Sequence, residues 1–165
     1  MIIKQRRYPL KAKEAKQILD KATKELKLDF KALFDTKIIE VIESNIGEVY
    51  LIEDKPSLFK VNERILPTLL FNEFTAKAPR IIVDMGAVPY VCKGATIMAP
   101  GIVKVEGEFA AGDLVLIVDV KHGKALAIGE SIMDAATART TKKGPIVKNL
   151  HYVSDKIWEY IKTLT

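Results

Sequence analysis

Glycine is nearly absent from the first half of this chain and crowded into the second. Of nine glycines only Gly47 precedes residue 78; the others stand at 86, 94, 101, 107, 112, 123, 129 and 144. Glycine takes positive φ without steric cost, so a segment punctuated this often predicts short strands joined by sharp turns. A segment that lacks it predicts longer elements. The change falls at Thr75-Ala76-Lys77-Ala78-Pro79, where Pro79 disfavours helix at Ala78. Two domains are therefore expected, 1–77 and 78–165, small but possible within 165 residues.

In the first half, Ala15, Ile18, Leu19, Ala22 and Leu26 recur at helical spacing and predict an amphipathic helix over Lys11–Leu28 with a lysine-bearing opposite face. Lys37–Glu43, Ile46–Asp54 and Ser57–Val61 are rich in β-formers and separated by turn residues, the pattern of a three-strand meander. Pro67 suits the first turn of a short helix over Pro67–Phe74.

In the second half, strands are expected at Arg80–Asp84, Ala95–Met98, Ile102–Val105, Leu114–Val120, Lys124–Ile128 and Ile146–His151, with a turn or short helix at Ala87–Cys92. Six short strands of this spacing predict a small closed barrel, which leaves no strand edge exposed. A last helix, Ser154–Leu164, begins at Ser154 as N-cap and buries Ile157, Trp158 and Ile161.

The net charge is +5, unevenly spread. Between Lys4 and Lys31 ten basic residues face four acidic ones, a local excess of +6 that leaves −1 for the remainder. Such a field is compatible with a polyanionic partner. The single cysteine, Cys92, excludes an internal disulfide and a cysteine-built metal cluster, fits a reducing compartment, and is expected as a small buried hydrophobe. No apolar run is long enough to span a membrane, and the basic stretch Met1–Arg7 has no apolar region behind it, so the cytoplasm is expected. No nucleophile–base pairing, phosphate-binding loop or dinucleotide fingerprint stands in the sequence. Asp84, Asp113 and Asp119 fall at strand ends, where turn-forming roles are common. His122 is expected exposed in a hairpin turn, and His151 structural, bonded near Tyr152 or Asp155. The expectation is a protein that is not an enzyme and uses no cofactor and no metal.

Residues 83–102, Val-Asp-Met-Gly-Ala-Val-Pro-Tyr-Val-Cys-Lys-Gly-Ala-Thr-Ile-Met-Ala-Pro-Gly-Ile, closely resemble the opening of a PUA domain, the RNA-binding module named after pseudouridine synthases and archaeosine transglycosylases. The family pattern, Asp-x-Gly-Ala, a short helix, then Gly-Ala-x-apolar-Met-x-Pro-Gly-apolar, is matched at every fixed position. The resemblance runs on through Phe109–Val115, Ala125–Gly129, His151-Tyr152 and Asp155–Trp158, covering roughly 78–158. The first half resembles a pre-PUA domain. Leu66-Pro67-Thr68-Leu69 and the closing His151-Tyr152, Asp155 and Trp158 resemble the malignant T-cell-amplified sequence family of translation factors, in its compact archaeal layout.

The implied fold is α+β, a helix-plus-small-antiparallel-sheet, pre-PUA-like domain packed on a PUA-like β-barrel with short helices. The implied function is non-catalytic RNA binding in translation initiation or ribosome recycling, with a tRNA acceptor end or small-subunit ribosomal RNA as partner. The family's eukaryotic members work with density-regulated protein on the small ribosomal subunit, so such a protein is a further implied partner; no membrane is. Two other readings stand beside it: an RNA-presenting accessory subunit of a pseudouridine synthase or transglycosylase, and a protein-interaction adaptor.

Gly86, Ala87, Gly94 and Ala95 bracket a bend where an RNA backbone could come close to peptide amides, or they serve only the turns that the barrel needs. Lys93 is a candidate phosphate contact. Tyr90 either stacks on a base, worth about 1–3 kcal/mol, or packs on the barrel. Met98, Pro100 and Gly101 are core and turn residues by type, and part of the RNA groove by resemblance. Arg139, Lys142 and Lys143 lie in a basic loop, after an expected helix at Asp134–Ala138, that suits phosphates or plain solvation. The Lys11–Lys31 face likewise suits RNA or solvent, since Glu14 and Glu25 offer helical pairing.

Overall fold

The structure is a computed structural model that describes residues 4–35 and 38–165. Lys37, with which the first meander strand was expected to begin, and Met1–Ile3 of the basic N-terminus lie outside the described residues. The chain divides into two compact units: one reaching to Phe74 and including Tyr160–Thr165, the other Thr75–Glu159.

In the first unit, β1 (Gln5–Pro9), β2 (Ile39–Ser44), β3 (Gly47–Ile52), β4 (Lys55–Val61) and β5 (Arg64–Pro67) form one antiparallel sheet in chain order. Helix α1 (Ala12–Leu26) buries Ala15, Ala22 and Leu26 of the expected stripe, while Ile18 and Leu19 are half-buried. It stops where Lys27 turns left-handed (φ 56) and its amide bonds the Thr23 carbonyl at 2.9 Å. A short turn, α2 (Phe30–Leu33), is capped by the Asp29 carboxylate. Phe30 stacks with Phe34 and Phe71 at centroid distances of 5.9–6.0 Å.

Two strands go beyond the expected meander. β1 is a charged edge, its Arg7 held by Glu40 (2.7 Å) and Asp54 (2.9 Å), which is how natural sheets blunt an edge. β5 replaces the start of the helix expected at Pro67. Pro67 pairs with Leu58, and the buried Thr68 donates its hydroxyl to the Pro56 carbonyl at 2.8 Å, so the chain stays extended. Proline is tolerated there because β5 is an edge strand. Only α3 (Asn72–Thr75) is helical.

The second unit has six strands: β6 (Arg80–Val83), β7 (Ile97–Met98), β8 (Ile102–Glu106), β9 (Leu114–Asp119), β10 (Ala125–Ser131) and β11 (Pro145–Tyr152). Their order is β7-β11-β10-β9-β6-β8, antiparallel except for the parallel pair β6 and β9. The sheet curls around Ile81, Val83, Val115, Ile117, Ile146 and Val147, all fully buried. β7 and β8 are not paired with each other; the single 3-10 turn Ala99–Gly101 bridges them. Helices α4 (Val88–Val91) and α5 (Ala135–Thr140) cover the core, and α6 (Lys156–Thr163) ends the chain.

The cap of α6 differs from expectation. Ser154 is left-handed (φ 84) and gives its hydroxyl to the Cys92 carbonyl at 2.7 Å. Asp155 caps instead, accepting from the amides of Trp158 (2.7 Å) and Tyr152 (2.9 Å) and meeting Nδ1 of the buried His151 at 2.7 Å. Of the apolar residues expected under α6, Ile161 is buried, whereas Ile157 and Trp158 are half-buried.

Burial works to raise the Asp155 carboxyl, but the His151 bond and charge and the two amides outweigh it and hold the group below its ordinary value. A carboxyl lowered in the folded state stabilises fully above its unfolded value, about 3.9, and loses that contribution as pH falls through the depressed value. Asp155→Ala is expected to lower the unfolding free energy by about 2 kcal/mol near neutrality, since it removes a cap and the carboxylate bond to a buried imidazole. Urea melts across a pH series should show the gap to wild type closing below about pH 4.

Candidate nucleic-acid interface

The end of β6 turns sharply into α4. Asp84 fixes that turn: its carboxylate accepts from the Ala87 amide at 2.8 Å, and its own amide donates to the Gly101 carbonyl at 2.9 Å. Asp113 and Asp119 similarly accept from the amides of Ala110 and Lys124, at 2.8 and 3.0 Å. All three strand-end acids thus hold turns.

The two bracketing glycines differ. Gly94 has φ +89, and an added Cβ would lie 2.8 Å from the Tyr152 ring, so the fold itself requires glycine there. Gly86 has no positive φ, and its added Cβ would meet only Asp84 Oδ1, at an ordinary 3.4 Å. It is exposed, and neither conformation nor packing demands it. Among the described residues the amides of Met85 and Gly86 have no protein acceptor.

Beyond this turn lies a groove of about 230 Å³ between α4 and β7. Val83, Val91 and Ile97 form its buried floor, while Ala87, Tyr90, Ala95, Met98 and Gly101 line its mouth. Gly101 keeps the wall thin, since a Cβ there would sit 3.2 Å from the Ala87 methyl. Tyr90 is 67% exposed and Met98 46%, large apolar surfaces open to solvent in one cleft. Packing on the barrel does not account for the Tyr90 ring. Lys93, in the turn after α4, and Pro100, in the 3-10 turn, are exposed beside the groove without lining it. Asn149 is a residue that no sequence signal marked. Its amide donates to the Val91 and Ala95 carbonyls at 3.0 and 3.2 Å, holding the end of α4, while its Oδ1 has no protein partner.

The basic loop follows α5, whose N-cap is Asp134. It adjoins the groove: the Gly144 carbonyl accepts from the Ala99 amide at 2.9 Å, and Pro145 pairs with Met98. Lys142 and Lys143 are exposed and, like Lys93, have no ion pair among the described residues. Arg139 is different. It binds the Gly107 carbonyl at 2.7 Å and Glu108 at 3.0 Å, beyond the end of β8. Cys92 is half-buried on the core, where burial raises its thiol, and the exposed His122 gives its amide to Asp119.

Residues 79–153 match the PUA domain family, and residues 6–72 match a domain of unknown function, DUF1947. The malignant T-cell-amplified sequence 1-A protein of Xenopus laevis is 32% identical over 130 residues, covering 76% of this chain and 67% of that one. The chain belongs to the malignant T-cell-amplified sequence family of PUA-domain proteins. An uncharacterised family relative from Methanocaldococcus jannaschii is 34% identical over 161 residues, 94% of this chain and 96% of that one. Translation machinery-associated protein 20 of Eremothecium gossypii is 30% identical over 120 residues, 68% of this chain and 66% of that one. A crystal structure of a hypothetical protein from Pyrococcus horikoshii aligns with a TM-score of 0.77 at 31% identity, covering 94% and 99% of the two chains. The groove lies within the PUA segment of this family member, and a PUA domain implies RNA binding. Among the described residues no helix is long and apolar enough to cross a membrane.

Arg139 and its neighbouring lysines should separate in experiment. Arg139→Ala, losing bonds to a backbone carbonyl and a carboxylate, is expected to cost about 1–2 kcal/mol in denaturant melts. The double variant Lys142→Gln, Lys143→Gln should leave the melting midpoint unchanged.

Proposed function

We propose that this protein binds structured RNA without catalysing its change, with the α4–β7 groove as the contact surface. The observation that carries the reading is an exposed aromatic ring and thioether in one cleft, bordered by unpaired cations and a turn with free amides. An unpaired base or ribose would lie against Tyr90 and Met98, between the small residues Ala87, Ala95 and Gly101. Its phosphates would meet the Met85 and Gly86 amides and the side chains of Lys93, Lys142 and Lys143. Stacking tolerates any base, so shape and 2′-hydroxyls would decide which RNA is held.

A tRNA acceptor end fits this description, because its single-stranded terminus offers unstacked bases beside a helical backbone; a ribosomal RNA helix of the small subunit is the other candidate. The name of the Eremothecium gossypii relative supports a place in translation, and we assign the protein to initiation or ribosome recycling in the cytoplasm. Arg139, engaged at β8, would contribute through the position of α5 more than through its charge.

The test is filter binding to tRNA at low salt. Tyr90→Ala is expected to weaken binding at least fivefold, the lower end of a stacking contribution of about 1–3 kcal/mol. Gly86→Ala is the sharper probe: its melting midpoint should stay at the wild-type value while affinity falls, because the added methyl stands where a phosphodiester must approach. Wild-type affinity in both variants and in Lys93→Ala would remove the groove from RNA recognition.

A further inference from the structure

We infer that the solvent face of α1 is a second RNA-contacting surface, recognising backbone phosphates and sharing no residue with the α4–β7 groove. It takes from the preceding proposal only the class of partner.

The inference rests on how charge is sorted around this helix. Ala15, Ala22 and Leu26 define the buried side. At 3.6 residues per turn Lys13, Lys16, Lys21 and Lys24 fall within an arc of about 140° on the opposite side. All four are exposed, and among the described residues none has an ion pair. The acids that could have neutralised them are turned elsewhere. Glu25, four residues after Lys21, has both carboxylate oxygens on Arg64 of β5, at 2.9 and 3.1 Å. Glu14 lines a cavity with Tyr8, Val41 and Tyr50 on the sheet side. Only Asp20 remains among the lysines, leaving three uncompensated charges over about 16 Å of helix.

This arrangement works against the helix that carries it. Lys13–Lys16 and Lys21–Lys24 are like-charge pairs at i,i+3, which destabilise a helix where opposite charges would stabilise it. Lys13 sits in the first turn, at the positive end of the helix dipole, and Lys11 occupies the N-cap without a side-chain bond. A face maintained only for solubility would be expected to alternate its charges. Four lysines with no acid engaged lie close enough for their fields to overlap, since screening at physiological salt extends about 8 Å. The spacing suits a phosphate backbone and needs no particular sequence.

The experiment measures binding of the full chain to a short blunt-ended RNA duplex as a function of salt. The variant replaces Lys13, Lys16, Lys21 and Lys24 by Gln, a residue of similar helix propensity. Its log–log salt slope should fall by about 3, with affinity near 0.1 M salt reduced at least tenfold. A charge-matched control with Gln at Lys55, Lys77, Lys121 and Lys156, all exposed, should keep most of the wild-type slope. Arg at the same four α1 positions should restore it, and far-UV circular dichroism checks that α1 persists. If the Gln variant loses folding, the half-variants Lys13→Gln, Lys16→Gln and Lys21→Gln, Lys24→Gln each carry the test with half the expected slope change. An α1 variant indistinguishable from the charge-matched control overturns the inference. Loss of duplex binding in the α1 variant, with wild-type tRNA binding in the groove variants, sinks the groove proposal alone; weakened tRNA binding in the groove variants, with an α1 variant at the control's duplex slope, sinks this one alone. Intact duplex binding with lost binding to polyglutamate would assign the face to an acidic protein and overturn the proposal.

Discussion

Three residues set the shape of the PUA unit. Ala99–Gly101 connect β7 and β8, which stand at opposite ends of a six-stranded order. In a flat sheet those edges would lie about 24 Å apart, five strand spacings. Four Cα steps, from Met98 to Ile102, reach about 15 Å at most. The sheet therefore has to curl until its edges approach, although no ladder joins them. The groove lies along that seam: the bridging turn brings Gly101 against Ala87, and the Gly101 carbonyl accepts from the Asp84 amide. Closing the seam with a β7–β8 ladder would fill the cleft that Tyr90 and Met98 now line.

The motif residues of this segment accordingly fall into two sets. Asp84, Gly94 and Gly101 are explained by folding, through a turn, a positive φ under the Tyr152 ring and a tight methyl contact. Gly86, Tyr90, Met98 and Lys93 are not, since each is exposed and the fold places no demand on its identity. A motif read as a string cannot make this division, because a glycine that the fold requires and one that it does not are the same letter. The structure makes it, through what an added Cβ would strike.

The same asymmetry explains what the sequence disclosed. Helix α1 and strands β2–β4 and β6–β11 are legible because a helical apolar stripe or runs of β-formers stand between turn residues. β1 is not: Gln5, Arg6, Arg7 and Pro9 are exposed, and the strand exists through its ladder to β2 and the Arg7 pairs. β5 was obscured by Pro67, whose local preference for a helix start yields to a long-range anchor, the Thr68 hydroxyl on the Pro56 carbonyl. Ser154 looked like a cap by type, yet Asp155 outcompetes it with two amides and an imidazole in reach. Asn149 gave no signal, since its role depends on which carbonyls a neighbouring helix leaves unpaired. What stays hidden in each case is contact between residues distant in sequence.

Charge supplies the last step. Thr75–Glu159 carries eleven lysines and arginines against nine acids, a net of +2, whereas Lys4–Lys31 carries +6. A nearly neutral unit with an apolar cleft can select an unstacked nucleotide but has little long-range field with which to attract one. A lysine-faced helix has the opposite properties: phosphate contacts add affinity and steer approach, and carry no sequence information. On the functions proposed above, selectivity would sit on one unit and attraction on the other, so that each surface follows its own physics. The groove stays free of the many cations that would make it indiscriminate, and α1 stays free of the apolar exposure that would make it aggregate. On the readings proposed above, the like-charge strain along α1 and the open seam of the barrel, two costs to folding, both become intelligible as features of RNA-contacting surfaces.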